Sequence, residues 1–125
     1  MYAIILRLAR LLRGHAGARR RALQLLRRNL TPVQLGDYDR NGSFLVTGGK
    51  TGRTYRIRHG WSMNVDELDA AGNVVRTWCF YPKGRLSTGD VMLAQKIALE
   101  AFEQEALQLA NRMSLRTDPR EDLFQ

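Results

Sequence analysis

The sequence is poor in the residues that staple or metallate small proteins, with one cysteine (Cys79) and two histidines (His15 and His59) in 125 residues. A lone cysteine excludes an internal disulfide, and two histidines beside it do not complete a four-ligand zinc set. Neither device is needed, because a chain of this length buries roughly two-thirds of its unfolded surface on folding. A reducing, cytoplasmic setting is the simpler expectation. Long apolar runs are also missing: none approaches the ~20 residues of a membrane span. The apolar opening MYAIILRLARLL carries arginines where a secretory signal would be hydrophobic. Acid is the third scarcity, with no Asp or Glu in the first thirty residues.

That last absence organises the charge. Arg7, Arg10, Arg13, Arg19, Arg20, Arg21, Arg27 and Arg28 put the whole formal +8 into residues 1–30, leaving 12 of the 20 basic residues to balance 12 acids in the remainder. The chain therefore reads as a neutral domain with a cationic arm. Such an arm attracts polyanions: nucleic acid, an anionic membrane surface or an acidic protein.

Within the arm, Ile4, Ile5, Leu8, Leu11 and Leu12 recur at helical spacing with the arginines turned away, and GHAG at 14–17 interrupts the pattern. Residues 18–30 repeat it, with Ala22, Leu23, Leu26 and Leu30 on one face and Arg20, Arg21, Arg27 and Arg28 across the rest. Those guanidinium groups are either a solvated outer face or a phosphate-binding surface, since Arg presents a rigid fork of donors matched to phosphate oxygens. Thr31-Pro32-Val33-Gln34 then starts a short helix to about Tyr38, with Thr as N-cap, Pro at the first helical position and Gln completing a capping box. Asp39 to Gly42 reads as a turn. A helix-turn-helix is disfavoured, because almost no turn precedes Pro32 and the second helix offers Asp37 where a groove reader needs donors.

Ser43 to Arg58, SFLVTGGKTGRTYRIR, is a β-hairpin: Phe44, Val46, Tyr55 and Ile57 recur every second residue and define one face. Its loop, GGKTG from Gly48 to Gly52, matches only the end of a phosphate-binding P-loop. Phe44 stands where the first glycine should be, and a strand follows where a helix should; turn geometry accounts for the glycines. A third strand is expected from about Trp61 to Leu68, and a fourth from Val74 to Tyr81 after the turn DAAGN. In the fourth, Trp78 and Phe80 are either core or an aromatic platform beside Arg56, Arg58 and Arg76 that stacks single-stranded bases. The large apolar area of a tryptophan favours the core. Cys79 lacks a neighbouring base and reads as an inert buried thiol.

From Ser87 or Thr88, with Asp90 in the first turn, a helix without internal proline or glycine is expected to about Arg112, on the order of 35 Å long. Its apolar face drifts from Leu93, Ile97 and Ala101 to Phe102, Ala106, Leu109 and Met113, and Glu100, Glu103 and Glu105 read as its solvated side. The second stripe is a candidate contact for the N-terminal helices or for a second copy of the chain.

Two resemblances follow from these residues. The hairpin with Phe44, Val46, Gly48, Tyr55 and Ile57, together with the helix carrying Asp90, Leu93, Ala94, Gln95 and Lys96, resembles a set of small bacterial and bacteriophage proteins that have no assigned activity. It spans roughly residues 31–111 and implies a phage or prophage setting. The order helix, strands, helix is also similar to double-stranded RNA-binding domains, but their last helix begins with a lysine cluster where this one has only Lys96.

The expectation is an α+β fold with a basic helical arm at 1–30, a domain at 31–113 with three or four antiparallel strands and a long C-terminal helix across them, and a polar tail at 114–125. The expected function is a non-enzymatic binding module without cofactor or metal, docking on nucleic acid or a nucleoprotein. Arg19, Arg20, Arg21, Arg27 and Arg28 would meet phosphates, with Arg53, Arg56 and Arg58 extending the surface. Alternatives are a phage-type interaction or inhibitor protein that binds a host or virion protein, and peripheral attachment to an anionic membrane through the first helix.

Overall fold

A computed structural model describes residues 17–60, 62–80 and 86–116, with side chains described as far as 110. Helices α1 (Ala18–Arg28) and α2 (Pro32–Asn41) precede strands β1 (Ser43–Thr47), β2 (Thr54–Arg58), β3 (Val65–Leu68) and β4 (Val74–Trp78), and helix α3 (Thr88–Arg116) follows them. The strands form one antiparallel sheet in the order β1-β2-β3-β4, so the fold is α+β. The expected helix at 2–13, its GHAG break before Gly17, Trp61, Tyr81 and the tail from 117 lie outside the described residues.

The hairpin forms as its alternation requires. Phe44 pairs with Ile57 and Val46 with Tyr55, and all four side chains are buried. Each such burial contributes roughly 1.5–3 kcal/mol. The next two strands depart from the expected boundaries. β3 begins at Val65 rather than Trp61, because Gly60 (φ 149°) and Met63 (φ 52°) take left-handed backbone that an extended strand cannot use. Asn64 turns inward instead and exchanges two hydrogen bonds of 2.8 Å with the Gln95 side chain of α3. Gln95 donates also to the Phe80 carbonyl, leaving this buried amide pair well satisfied. Trp78 pairs with Val65 and is core, as is Phe80.

α2 carries the expected capping box: Thr31 Oγ1 accepts from the Gln34 N–H, and Gln34 Oε1 accepts from the Thr31 N–H. The helix runs three residues beyond Tyr38, because its stop is Gly42, whose φ of 69° lets its N–H return to the Tyr38 carbonyl. Gln34 has a second task, donating through Nε2 to the Leu45 carbonyl at the free edge of β1. An edge acceptor is thereby covered.

α3 lies on the Phe44/Tyr55 face and α1 packs against α3, with Leu26 and Leu30 entering the common core and Ala22 also buried. Their crossing depends on Gly89, where a Cβ would lie 2.8 Å from the Ala22 carbonyl carbon. α3 starts as expected, with the Ser87 hydroxyl donating to Asp90. Of the two expected stripes Leu93, Ile97 and Ala106 meet the core, but the buried side also takes in residues that neither stripe contained. Met92, Lys96, Leu99, Glu103, Ala106 and Ala110 are buried at alternating spacings of four and three, whereas Ala101 and Phe102 are exposed. The helix breaks at Phe102 (φ −144°, ψ 46°) and continues to Arg116, so residues 114–116 belong to it.

Two glycine substitutions separate close packing from chain entropy. Gly89→Ala is expected to lower stability by about 1–3 kcal/mol through the clash with α1. Gly36→Ala, inside α2 with only the Arg40 guanidinium nearby, is expected to raise it by about 0.5–1 kcal/mol. Urea denaturation of both variants checks the signs.

Candidate functional site

The eight arginines expected to meet phosphate fall into two groups. Arg19, Arg20, Arg21 and Arg28 are exposed on α1 and form no ion pair with any described residue. Helical spacing puts Arg20, Arg21 and Arg28 opposite Ala22 and Leu26, with Arg21 and Arg28 about 10 Å apart along the axis. Because Ala22 and Leu26 are buried to within 1% against the core, this cationic row stands on a packed support.

The other four are engaged within the chain. Both terminal nitrogens of Arg27 meet both carboxylate oxygens of Asp39, the second contact at 3.2 Å, and this pairing raises Arg27 above its usual value. Arg53 approaches Glu67 at 3.5 Å. Arg56 and Arg58 point away from the helices, as their parity in β2 requires, and converge on Asp66 at 3.2 and 2.8 Å. Asp66 is 4% exposed, and Thr77 Oγ1 also donates to it. Helical and strand periods place each arginine on its face, but no local pattern brings Asp39, Glu67 or Asp66 to it.

The glycine-rich loop holds an anion after all, and that anion belongs to the chain. Glu103 Oε1 accepts from the backbone N–H groups of Lys50 (3.0 Å) and Thr51 (2.8 Å), and Oε2 accepts from the hydroxyls of Thr51 and Tyr55. Gly48 and Gly49 are required by this approach and not by their backbone dihedrals. A Cβ on Gly48 would lie 2.3 Å from the carboxylate, and one on Gly49 1.9 Å from the Glu100 carbonyl oxygen. The Gly49 N–H donates to the Leu99 carbonyl, the acceptor that residue 103 uses in an unbroken helix, which accounts for the break at Phe102. Lys50 Nζ meets Gln104 alongside.

Glu103 is thus 2% exposed, where a solvated side chain was expected; Glu100 and Glu105 are exposed. Burial alone would raise its carboxyl. The hydroxyls of Thr51 and Tyr55 and the two backbone N–H groups more than offset that, and hold it below its ordinary value. Burial, and then the Glu103 carboxylate, push the Tyr55 phenol far above its ordinary value, so Tyr55 remains the donor. The signal that would have found Glu103 is its place in the four-three spacing between Leu99 and Ala106.

No protein-family model, no curated protein and no solved structure gives a significant match to the chain.

An aromatic and basic sheet surface does not form, since Trp78 (4% exposed) and Phe80 (1%) face the core. Arg76 lies over the Trp78 ring, 4.9 Å from its centroid. Cys79 is buried, with the Ser62 hydroxyl 3.6 Å from its sulfur. Among the described residues no group of His, Cys, Asp or Glu is placed to hold a metal ion, and no helix is long and apolar enough to cross a membrane.

Glu103 generates two expectations. Glu103→Ala leaves four donors without their acceptor and is expected to cost about 2–4 kcal/mol at neutral pH by urea denaturation. A carboxyl held below its ordinary value stabilises the fold fully above that value, near 4.3, and loses its contribution as the pH falls through the folded one. The stability difference between the natural chain and Glu103→Gln is therefore expected to shrink from about pH 5 downward.

Proposed function

We propose that the protein is a non-enzymatic binding module that docks on a polyanion, nucleic acid or a nucleoprotein, through the arginine face of α1. The observation that carries this reading is a contrast. Arg27, Arg53, Arg56 and Arg58 have carboxylate partners within the chain, whereas Arg19, Arg20, Arg21 and Arg28 stand exposed with none among the described residues. Four unopposed guanidinium groups on one helix attract negative charge, and the buried contacts of Ala22 and Leu26 support the helix beneath them. Phosphate suits them because each fork can give two parallel hydrogen bonds to neighbouring oxygens.

Arg20, Arg21 and Arg28, opposite the buried side of α1, are accordingly the principal contacts, and Arg19 flanks them. Arg27, Arg53, Arg56 and Arg58 contribute less, since a phosphate must compete with Asp39, Glu67 or Asp66. Contacts of this kind position the backbone and carry little sequence preference.

Fluorescence anisotropy with a labelled duplex, titrated at several salt concentrations, tests the proposal. Four neutralised phosphates predict a slope of log K against log salt of roughly −3 to −4. The triple variant Arg20→Ala, Arg21→Ala, Arg28→Ala is expected to bind more weakly to every sequence, with the slope reduced by about 3. Binding that ignores salt, or that the triple variant retains in full, would reject the reading.

A further inference from the structure

The face of the sheet turned away from α1 and α3 carries its own recognition chemistry. Leu45 on β1, Arg56 on β2, Asp66 on β3 and Thr77 on β4 form one row across it, fixed by the register of the three strand pairs. Asp66 is saturated: Oδ1 accepts from Arg58 Nη2 and Thr77 Oγ1, and Oδ2 from Arg56 Nη2 and Arg58 Nε. One carboxylate thus holds two guanidinium groups side by side and leaves one positive charge uncompensated. Arg56 uses only one of its five N–H donors in a hydrogen bond to a described residue, and its Nε is buried with no partner. Next to this pair, between α2 and the sheet, opens a concavity of about 620 Å³, with Leu45 (44% exposed) beside Arg56 and with Ser43, Arg58 and Asp37 around it.

We propose that this concavity is a docking site for a protein segment in which a carboxylate side chain neighbours an apolar one. The carboxylate takes the free donors of Arg56 and Arg58, and the apolar neighbour covers Leu45. Asp66 has already restrained both arginines, so little side-chain freedom is lost on binding. The charge decides between a carboxylate and a nucleic-acid strand. Arg56 and Arg58 are opposed by Asp66 alone, and Asp37 is already paired with Arg40 at 2.7 Å, so the excess is a single positive charge, too little for a run of phosphates. One carboxylate with an adjoining apolar group matches both the charge and the exposed leucine. The volume lies within the usual range for a binding concavity. This site does not depend on the polyanion reading of α1.

The test is a titration of the isotopically labelled full chain, followed by amide chemical shifts, with the capped tripeptide acetyl-Leu-Glu-Leu-amide. Its Gln analogue and an oligothymidylate serve as comparison probes. Saturable shifts confined to residues 43–45 and 56–59 are expected, with binding weakened about tenfold or more for the Gln analogue. Leu45→Glu is expected to abolish those shifts. Its exposed side chain faces Arg56 across the strand pair, so the spectrum of the free variant should stay folded. Arg58→Gln should weaken binding by about tenfold. The proposal is overturned if no shifts arise at about 5 mM peptide, where a millimolar Kd is visible. Equal binding of the Gln analogue, an unaffected Leu45→Glu variant, or oligothymidylate shifting residues 56–59 as strongly would also overturn it. Loss of duplex binding by the α1 triple variant has no bearing on these outcomes.

Discussion

The carboxylate of Glu103, buried in the loop between β1 and β2, is the interaction on which the rest of the molecule depends. A buried charge is tolerated only when its lone pairs are satisfied, and here two backbone N–H groups and two hydroxyls satisfy it. The requirement reaches in both directions along the chain. It demands glycine at 48 and 49, because any Cβ would occupy the space of the carboxylate or of the Glu100 carbonyl. It also accompanies the break of α3 at Phe102, where the Gly49 N–H has taken the Leu99 carbonyl. The hairpin and the long helix are therefore joined at a polar contact, and the apolar faces of Phe44, Val46, Tyr55 and Ile57 close over α3 in that register.

A second buried carboxylate works on the opposite side of the sheet. Asp66 is almost as inaccessible as Glu103, but its donors are arginine side chains in place of loop backbone. The difference has a functional consequence. Backbone N–H groups that surround Glu103 are used up in holding two elements together, whereas the guanidinium groups around Asp66 retain donors and face a concavity. The acids of the nominally neutral part thus do unequal things: Asp39 and Glu67 pair with exposed arginines, Glu103 fastens the fold, and Asp66 arranges a cationic pair.

Much of the architecture was legible because it follows from local period and local hydrogen bonding. Alternation identified the buried face of the hairpin, and the Thr31 to Gln34 spacing identified the cap of α2. The misreadings share a cause. β3 is four residues shorter than its alternation predicts, because Gly60 and Met63 take left-handed backbone and Asn64 turns inward to Gln95, thirty-one positions away. Glu103 is buried where a carboxylate on a helix surface is ordinarily solvated, because its partners lie about fifty residues earlier. The arginine face of α1 was visible from its spacing, but the engagement of Arg27 with Asp39 was not.

The amino-acid order by itself determined the succession of helices and strands, the apolar faces of the hairpin and of α1, and that positive charge gathers in the first thirty residues. Those properties depend on neighbours within a turn or two of chain. Only the tertiary structure decided which charges remain free, since that depends on whether the chain elsewhere brings a carboxylate within hydrogen-bonding distance. Arg27, Arg53, Arg56 and Arg58 found such partners eight to fourteen residues away and Glu103 found its own about fifty residues away, whereas Arg19, Arg20, Arg21 and Arg28 have none among the described residues.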